Sequence, residues 1–231
     1  MSMKLQVDGS LRDAYPGYRA IVLYAEGLME NQESRSNSLR LLRQAESNLR
    51  TNFDYDVASD HPHIAAWRST FASFGVKPNR VLCGAEALMK RVLNGHDLPD
   101  VCATVNAYNA VSIGTAVPIG GENWDALTSD LTLKFSDGNE PFVFSDGGEL
   151  REEYPEPGEP IWADNTGSTC RRWNWRQCNR TALHSDVTRA YFVIDVMDPY
   201  GVSQAEHCLG RLKELIRELF PASVMHSESL V

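Results

Sequence analysis

The stretch Arg171–Thr181, RRWNWRQCNRT, concentrates groups that can do chemistry, with arginines and asparagines interleaved with two tryptophans in a chain of net charge −9. Read as one extended strand, it projects Arg172, Asn174 and Arg176 to one face and Arg171, Trp173 and Trp175 to the other. Two guanidinium forks and an amide on one face would hold a carboxylate or a phosphate through parallel hydrogen bonds. The indoles on the opposite face could be buried, each needing a partner for its N–H. The competing reading is scaffold, in which the tryptophans are core and the arginines pair with surplus carboxylates such as Asp164 or Asp195.

Other catalytic patterns are absent from the sequence. Cys170, Cys178 and His184 are conceivable metal ligands, but there is no CxxC pair and their spacing fits no ordinary zinc module. His61 and His63 flank Pro62 ahead of a helix, where polar residues at a helix start are the plain explanation. No phosphate loop, dinucleotide fingerprint or GxSxG elbow occurs, and Pro118–Gly121 reads as a turn. No metal or cofactor is therefore expected.

These residues need elements to position them. YPGYRAIVLYAEGL, residues 15–28, has the β-branched and aromatic content of a buried strand. Leu39, Leu42, Ala45 and Leu49 recur at helical spacing within residues 34–50. A second helix is predicted through Ile64, Trp67, Phe71 and Phe74, closed by Gly75, and a third in CGAEALMKRVLNG. From Leu131 the period shortens, and LTLKF, PFVF, EPIWAD, STCRRWNWR and AYFVIDVM read as strands. GGELREEYPEPGEP reads as an exposed connection, and SQAEHCLGRLKELIRELF as a last amphipathic helix ending before Pro221.

With 231 residues, 42% of them hydrophobic, the chain can bury the core of one domain, expected to span residues 1–231. The acidic balance argues against extended binding to duplex DNA or anionic membrane, since neutralising many phosphates needs an excess of Lys and Arg on one face; a short nucleic-acid end stays compatible. The apolar runs are too short to span a bilayer, the N-terminus lacks a signal-peptide core, and five scattered cysteines suggest no disulfide framework. A cytoplasmic protein with reduced thiols is expected.

Taken in order, VCATVNAYNAVSIGTAVPIGGENWDAL, DLTLKF, IWADNTGSTCRRWNWR and TRAYFVIDV resemble the B3/B4 tRNA-editing domain of the bacterial phenylalanyl-tRNA synthetase beta subunit. The chain is more similar still to stand-alone versions of that domain, over about residues 15–220. The resemblance implies an α+β fold, a three-layer arrangement with a β-sandwich of unusual topology and helices packed on one side. It implies a pocket between an asparagine-bearing helix and a glycine-rich loop. Asn109 matches the asparagine of the synthetase's pocket and Pro118 a proline beside it, so both are expected near Asn174. Gly120 stands where the synthetase has a histidine, and Arg172, Trp173 and Arg176 where it has pocket glycines. Ile194 replaces the glutamate that reads a tyrosine hydroxyl; Asp195 follows it and faces the other side of a strand.

The function implied is a free-standing editing factor that hydrolyses a mischarged aminoacyl-tRNA in trans, its partner being the tRNA 3′ end. The candidate substrate-binding residues are Asn106, Asn109, Gly120, Arg172, Asn174, Arg176 and Thr188, with Ser112 also placed to orient substrate or water. No general base stands out among the matched positions. The alternatives are a non-catalytic binder of a free amino acid or small carboxylate, and a partner protein of a tRNA enzyme, lysidine synthetase carrying a related fold.

Overall fold

A computed structural model describes residues 4–231. In chain order its elements are β1 (Leu5–Val7), α1 (Gly9–Ala14), β2 (Tyr18–Glu26), α2 (Gln32–Asn52), α3 (Pro62–Ser73), α4 (Gly84–Leu93), α5 (Ala103–Thr115) and β3 (Ile119–Asn123). There follow β4 (Leu131–Phe135), β5 (Phe142–Asp146), β6 (Glu149–Glu153), β7 (Pro160–Asp164), β8 (Gly167–Arg171), β9 (Arg176–Gln177), β10 (Arg189–Met197), α6 (Val202–Leu219) and β11 (Val224–Ser229). The fold is α+β, as the sequence predicts.

Two larger sheets carry the strands. One runs β1-β4-β7-β8-β9; the other runs β11-β2-β10-β3, and β5-β6 form a separate hairpin. The β2–β10 pair is the spine of the second sheet, antiparallel from Arg189 opposite Glu26 to Met197 opposite Tyr18. Both strands are apolar and buried for nearly their whole length, as strands covered on both faces must be. Helices α3, α5 and α6 all contact this sheet.

The helices predicted from periodicity are present as α2, α3, α4 and α6. Two of them have a local reason for their start. Asn31 and Ser34 form a reciprocal capping box on α2, and Pro62 opens α3 at a position whose missing N–H costs nothing. Helix α5 is different: every residue from Ala103 to Ile113 is buried, so it has no polar face and no stripe of apolar positions.

Two sequence expectations are corrected here. Pro118–Gly121 is not a turn, because Ile119–Asn123 form β3 and pair with β10, Gly120 lying opposite Val193. A side chain at Gly121 would strike Phe192 at 2.7 Å, which is why a strand at this place tolerates glycine. RRWNWR is not one strand: β8 ends at Arg171, residues 172–175 turn, and β9 starts at Arg176. Arg172 (φ 47°) and Trp173 (φ 70°) are both left-handed, which costs about 1–2 kcal/mol for each non-glycine residue. The turn is held by Trp173 N–H on Pro160 O at 2.8 Å and Gly84 N–H on Asn174 O at 3.1 Å. Trp173 itself is fully buried against Tyr15, Tyr18 and Trp67. Part of the expected acidic connection is the exposed strand β6, and β1, α1 and β11 are further elements that the periodicity does not reveal.

Candidate functional site

The two larger sheets, α4 and α5 enclose a cavity of about 240 Å³. Its walls are largely apolar and aromatic: Ala87 and Leu88 from α4, Tyr108 from α5, Trp162 from β7, and Trp173 and Trp175 from the strained turn. Strand alternation turns Tyr191, Val193 and Asp195 of β10 toward it. Ile194 therefore faces the other way, and Asp195 places a carboxyl group at the cavity wall.

Asp195 is 2% exposed. It accepts a hydrogen bond from Tyr18 Oη at 2.6 Å and from Asn174 Nδ2 at 3.3 Å, while its own N–H donates to Pro118 O at 3.0 Å. Burial raises its pKa to about 7, the hydrogen bonds from Tyr18 and Asn174 pulling the other way without cancelling it. The same burial and the neighbouring carboxylate keep the Tyr18 phenol protonated. A second carboxylate, Glu122 of β3, is also buried beside the cavity, accepts from Tyr191 Oη at 2.7 Å and has its pKa raised by desolvation.

Asn109 on α5 lines the cavity at 7% exposure, and among the described residues its side chain makes no hydrogen bond. Asn174 Oδ1 is buried and, among the described residues, unpartnered, and a polar atom left so costs free energy that a ligand can return. Cys170 is on the wall, but burial drives its thiol pKa well up, so it offers no thiolate nucleophile.

The structure thus brings together Asn109, Gly120, Asn174 and Arg176, and places Pro118 with them. Three other candidates lie elsewhere. Asn106 donates to Ser38 Oγ at 3.1 Å and Asp100 Oδ1 at 2.7 Å, tying α5 to α2. Thr188 is exposed, its carbonyl accepting from Leu28 N–H, and it does not line the cavity. Arg172 also lies off the cavity, stacked over Trp175 at 4.4 Å and 3.4 Å from Glu159. Ser112 spends its hydroxyl on Val117 O at 2.7 Å.

The scaffold reading of the arginines holds for some and fails for one. Arg171 makes a two-pronged pair with Glu159, at 2.9 and 2.8 Å, and reaches Glu153. Arg180 grips Asp164 in the same way. Arg176 lies over Phe144 at 4.2 Å, and among the described residues no carboxylate pairs with it. The residue lines the cavity with its guanidinium held by aromatic rings, also 5.7 Å from the Trp175 ring centroid, and without an ion-pair partner among the described residues.

Asp195 is the functional candidate that the sequence reading did not assign. The available signal was a carboxylate inside the apolar run AYFVIDVM, in step with Tyr191 and Val193. No group of three or more His, Cys, Asp and Glu side chains is placed to hold a metal ion among the described residues. No helix among them is long and apolar enough to cross a membrane.

Comparison with known proteins adds the lineage. No curated protein matches the chain. A solved structure that it resembles is an N-terminal fragment of the phenylalanyl-tRNA synthetase beta subunit from Pyrococcus horikoshii, at 11% identity and a TM-score of 0.49, covering 100% of this chain and 55% of that one. The chain therefore spans about half the length of that fragment. The sequence profile of the B3/4 domain matches residues 66–220, two thirds of the chain, and the protein belongs to the B3/4 domain family.

Proposed function

We propose that residues 1–231 act as one B3/4 domain that hydrolyses a mischarged aminoacyl-tRNA in trans, with the aminoacyl group held in the cavity beside Asp195. The carrying observation is a carboxyl group poised near neutral pH in a small aromatic cavity that also holds the unpartnered amide of Asn109. Family membership supports the tRNA side of the reading.

The chemistry follows from the charges that develop. Asp195, ionised, takes a proton from a water molecule as the water oxygen attacks the ester carbonyl carbon, which is efficient when the base titrates near the working pH. The carbonyl oxygen becomes an oxyanion, and Asn109 Nδ2 is the uncommitted donor available to it. Collapse of the tetrahedral intermediate breaks the bond to the ribose oxygen, which recovers the proton from Asp195. Arg176, lacking a carboxylate partner, is free to hold a phosphate of the tRNA 3′ end.

The same free arginine also favours a second reading, a binder that holds a free amino acid by its carboxylate without turnover. Incubation with a panel of mischarged tRNAs separates the two. Accelerated release of at least one amino acid, lost in Asp195→Asn, supports the hydrolase. No acceleration for any tRNA, together with a thermal shift caused by a free amino acid, replaces it with the binder.

A further inference from the structure

On the side of α5 away from Asp195, helices α2, α5 and α6 leave a separate cleft of about 790 Å³. One part of its wall is aromatic. Phe53, Tyr55, His61 and Tyr200 form a connected series, with ring centroids 5.5 Å apart for Phe53–Tyr55, 5.5 Å for Tyr55–His61 and 5.6 Å for His61–Tyr200. His61 Nε2 is 3.4 Å from Tyr200 Oη, while its Nδ1 is buried without a partner among the described residues. Desolvation lowers the pKa of this histidine, leaving a neutral ring.

The α2 and α6 sides carry side-chain amides, Gln44, Asn48 and Gln204. Helix α5 exposes backbone to the cleft at Gly114, beside Val111, Ile113 and Thr115, although it is buried from Ala103 to Ile113. A Cβ there would meet nothing within 4 Å. Glycine inside a helix costs about 1 kcal/mol relative to alanine, and among the described residues no packing requires it at this position. Its missing side chain leaves room for a flat ligand to approach the helix backbone.

Aromatic faces for stacking, amides for reading edges and a flat floor are the means by which proteins hold unpaired bases. The charged groups do not suit an anion site. Arg211 is paired with Glu214 at 2.8 Å, and Asp54 adds negative charge to the lining. We propose that this cleft binds the heteroaromatic ring of a nucleobase, presented by a free nucleoside or by an unpaired RNA end. The inference is independent of the proposed hydrolysis.

Calorimetric titration of the full chain with adenosine, guanosine, cytidine, uridine and a single-stranded RNA trinucleotide tests it. At least one probe is expected to bind with a Kd between about 1 μM and 1 mM. Binding by nucleosides identifies a free-ligand source; binding by the trinucleotide alone identifies an RNA end, and either supports ring recognition. Gly114→Leu, which fills open space and improves helix propensity, should weaken that binding at least about tenfold without lowering the Tm. Tyr55→Ala should also weaken it, and Asp195→Asn should leave it intact. Failure of every probe to bind near 1 mM overturns the proposal, as does binding that survives Gly114→Leu or disappears in Asp195→Asn.

Discussion

The two sides of α5 solve opposite problems with neighbouring residues. Toward the sheets, Tyr108 and Asn109 close a small aromatic cavity around a carboxyl group that burial holds near its titration point. Toward α2 and α6, Ile113, Gly114 and Thr115 floor a wider cleft whose lining is mostly uncharged. The first environment tunes protons, because desolvation there reaches a charged group; the second offers shape and hydrogen bonds, because most of its polar groups are amides and aromatic rings.

The largest expected effect separates the sides by activity. Asp195→Asn removes the proposed base, and deacylation should fall by about 10²–10⁴-fold, measured as single-turnover release of amino acid. If the rate survives, Asp195 is not the base and the contrast between the two sides loses its chemical meaning. In wild type the rate should rise with pH through about 7 and level off above it, following ionisation of Asp195.

Trp173→Ala attacks the cavity wall itself. A fully buried indole supporting a left-handed turn should cost about 3–5 kcal/mol, read by denaturant unfolding. A loss below about 1 kcal/mol would mean that the turn repacks and that the cavity is not rigid.

Asp195→Asn has a second, opposite signature. From the ordinary value of 3.8 up to about 7, Asp195 is protonated when folded and ionised when unfolded, so raising pH through that window costs stability. The asparagine variant should therefore be more stable than wild type by roughly 1–4 kcal/mol near pH 8, with most of that gain gone near pH 4. Equal gains at both values would point to packing instead of charge.

Arg176 gives a smaller test. If its fork holds an anion, Arg176→Lys should weaken function nearly as much as Arg176→Ala, because the charge survives and the two-pronged geometry does not. Rescue by lysine would make it scaffold, like Arg171. The smallest effect is on the other side of the helix, where Gly114→Ala should raise stability by up to about 1 kcal/mol, seen as a higher Tm.

What the sequence by itself determined is the part written in local periodicity. The helical repeats of α2, α3, α4 and α6 and the apolar runs of β2 and β10 carry their own burial pattern, so the α+β class was legible from them. Of the seven substrate-binding residues expected from the sequence, Asn109, Gly120, Asn174 and Arg176 line one cavity together with Pro118, while Asn106, Arg172 and Thr188 do not. Tertiary structure decided the rest. The turn at residues 172–175 depends on Trp173 N–H donating to the distant Pro160 O and Asn174 O accepting from the distant Gly84 N–H, so strand alternation misplaced Arg172. Asn106 and Asn109 are the same residue type three positions apart; one meets Ser38 and Asp100, the other meets the cavity. Asp195 became a titrating group only because β2, the turn and β3 enclose it, since desolvation is a property of the surroundings and not of the residue.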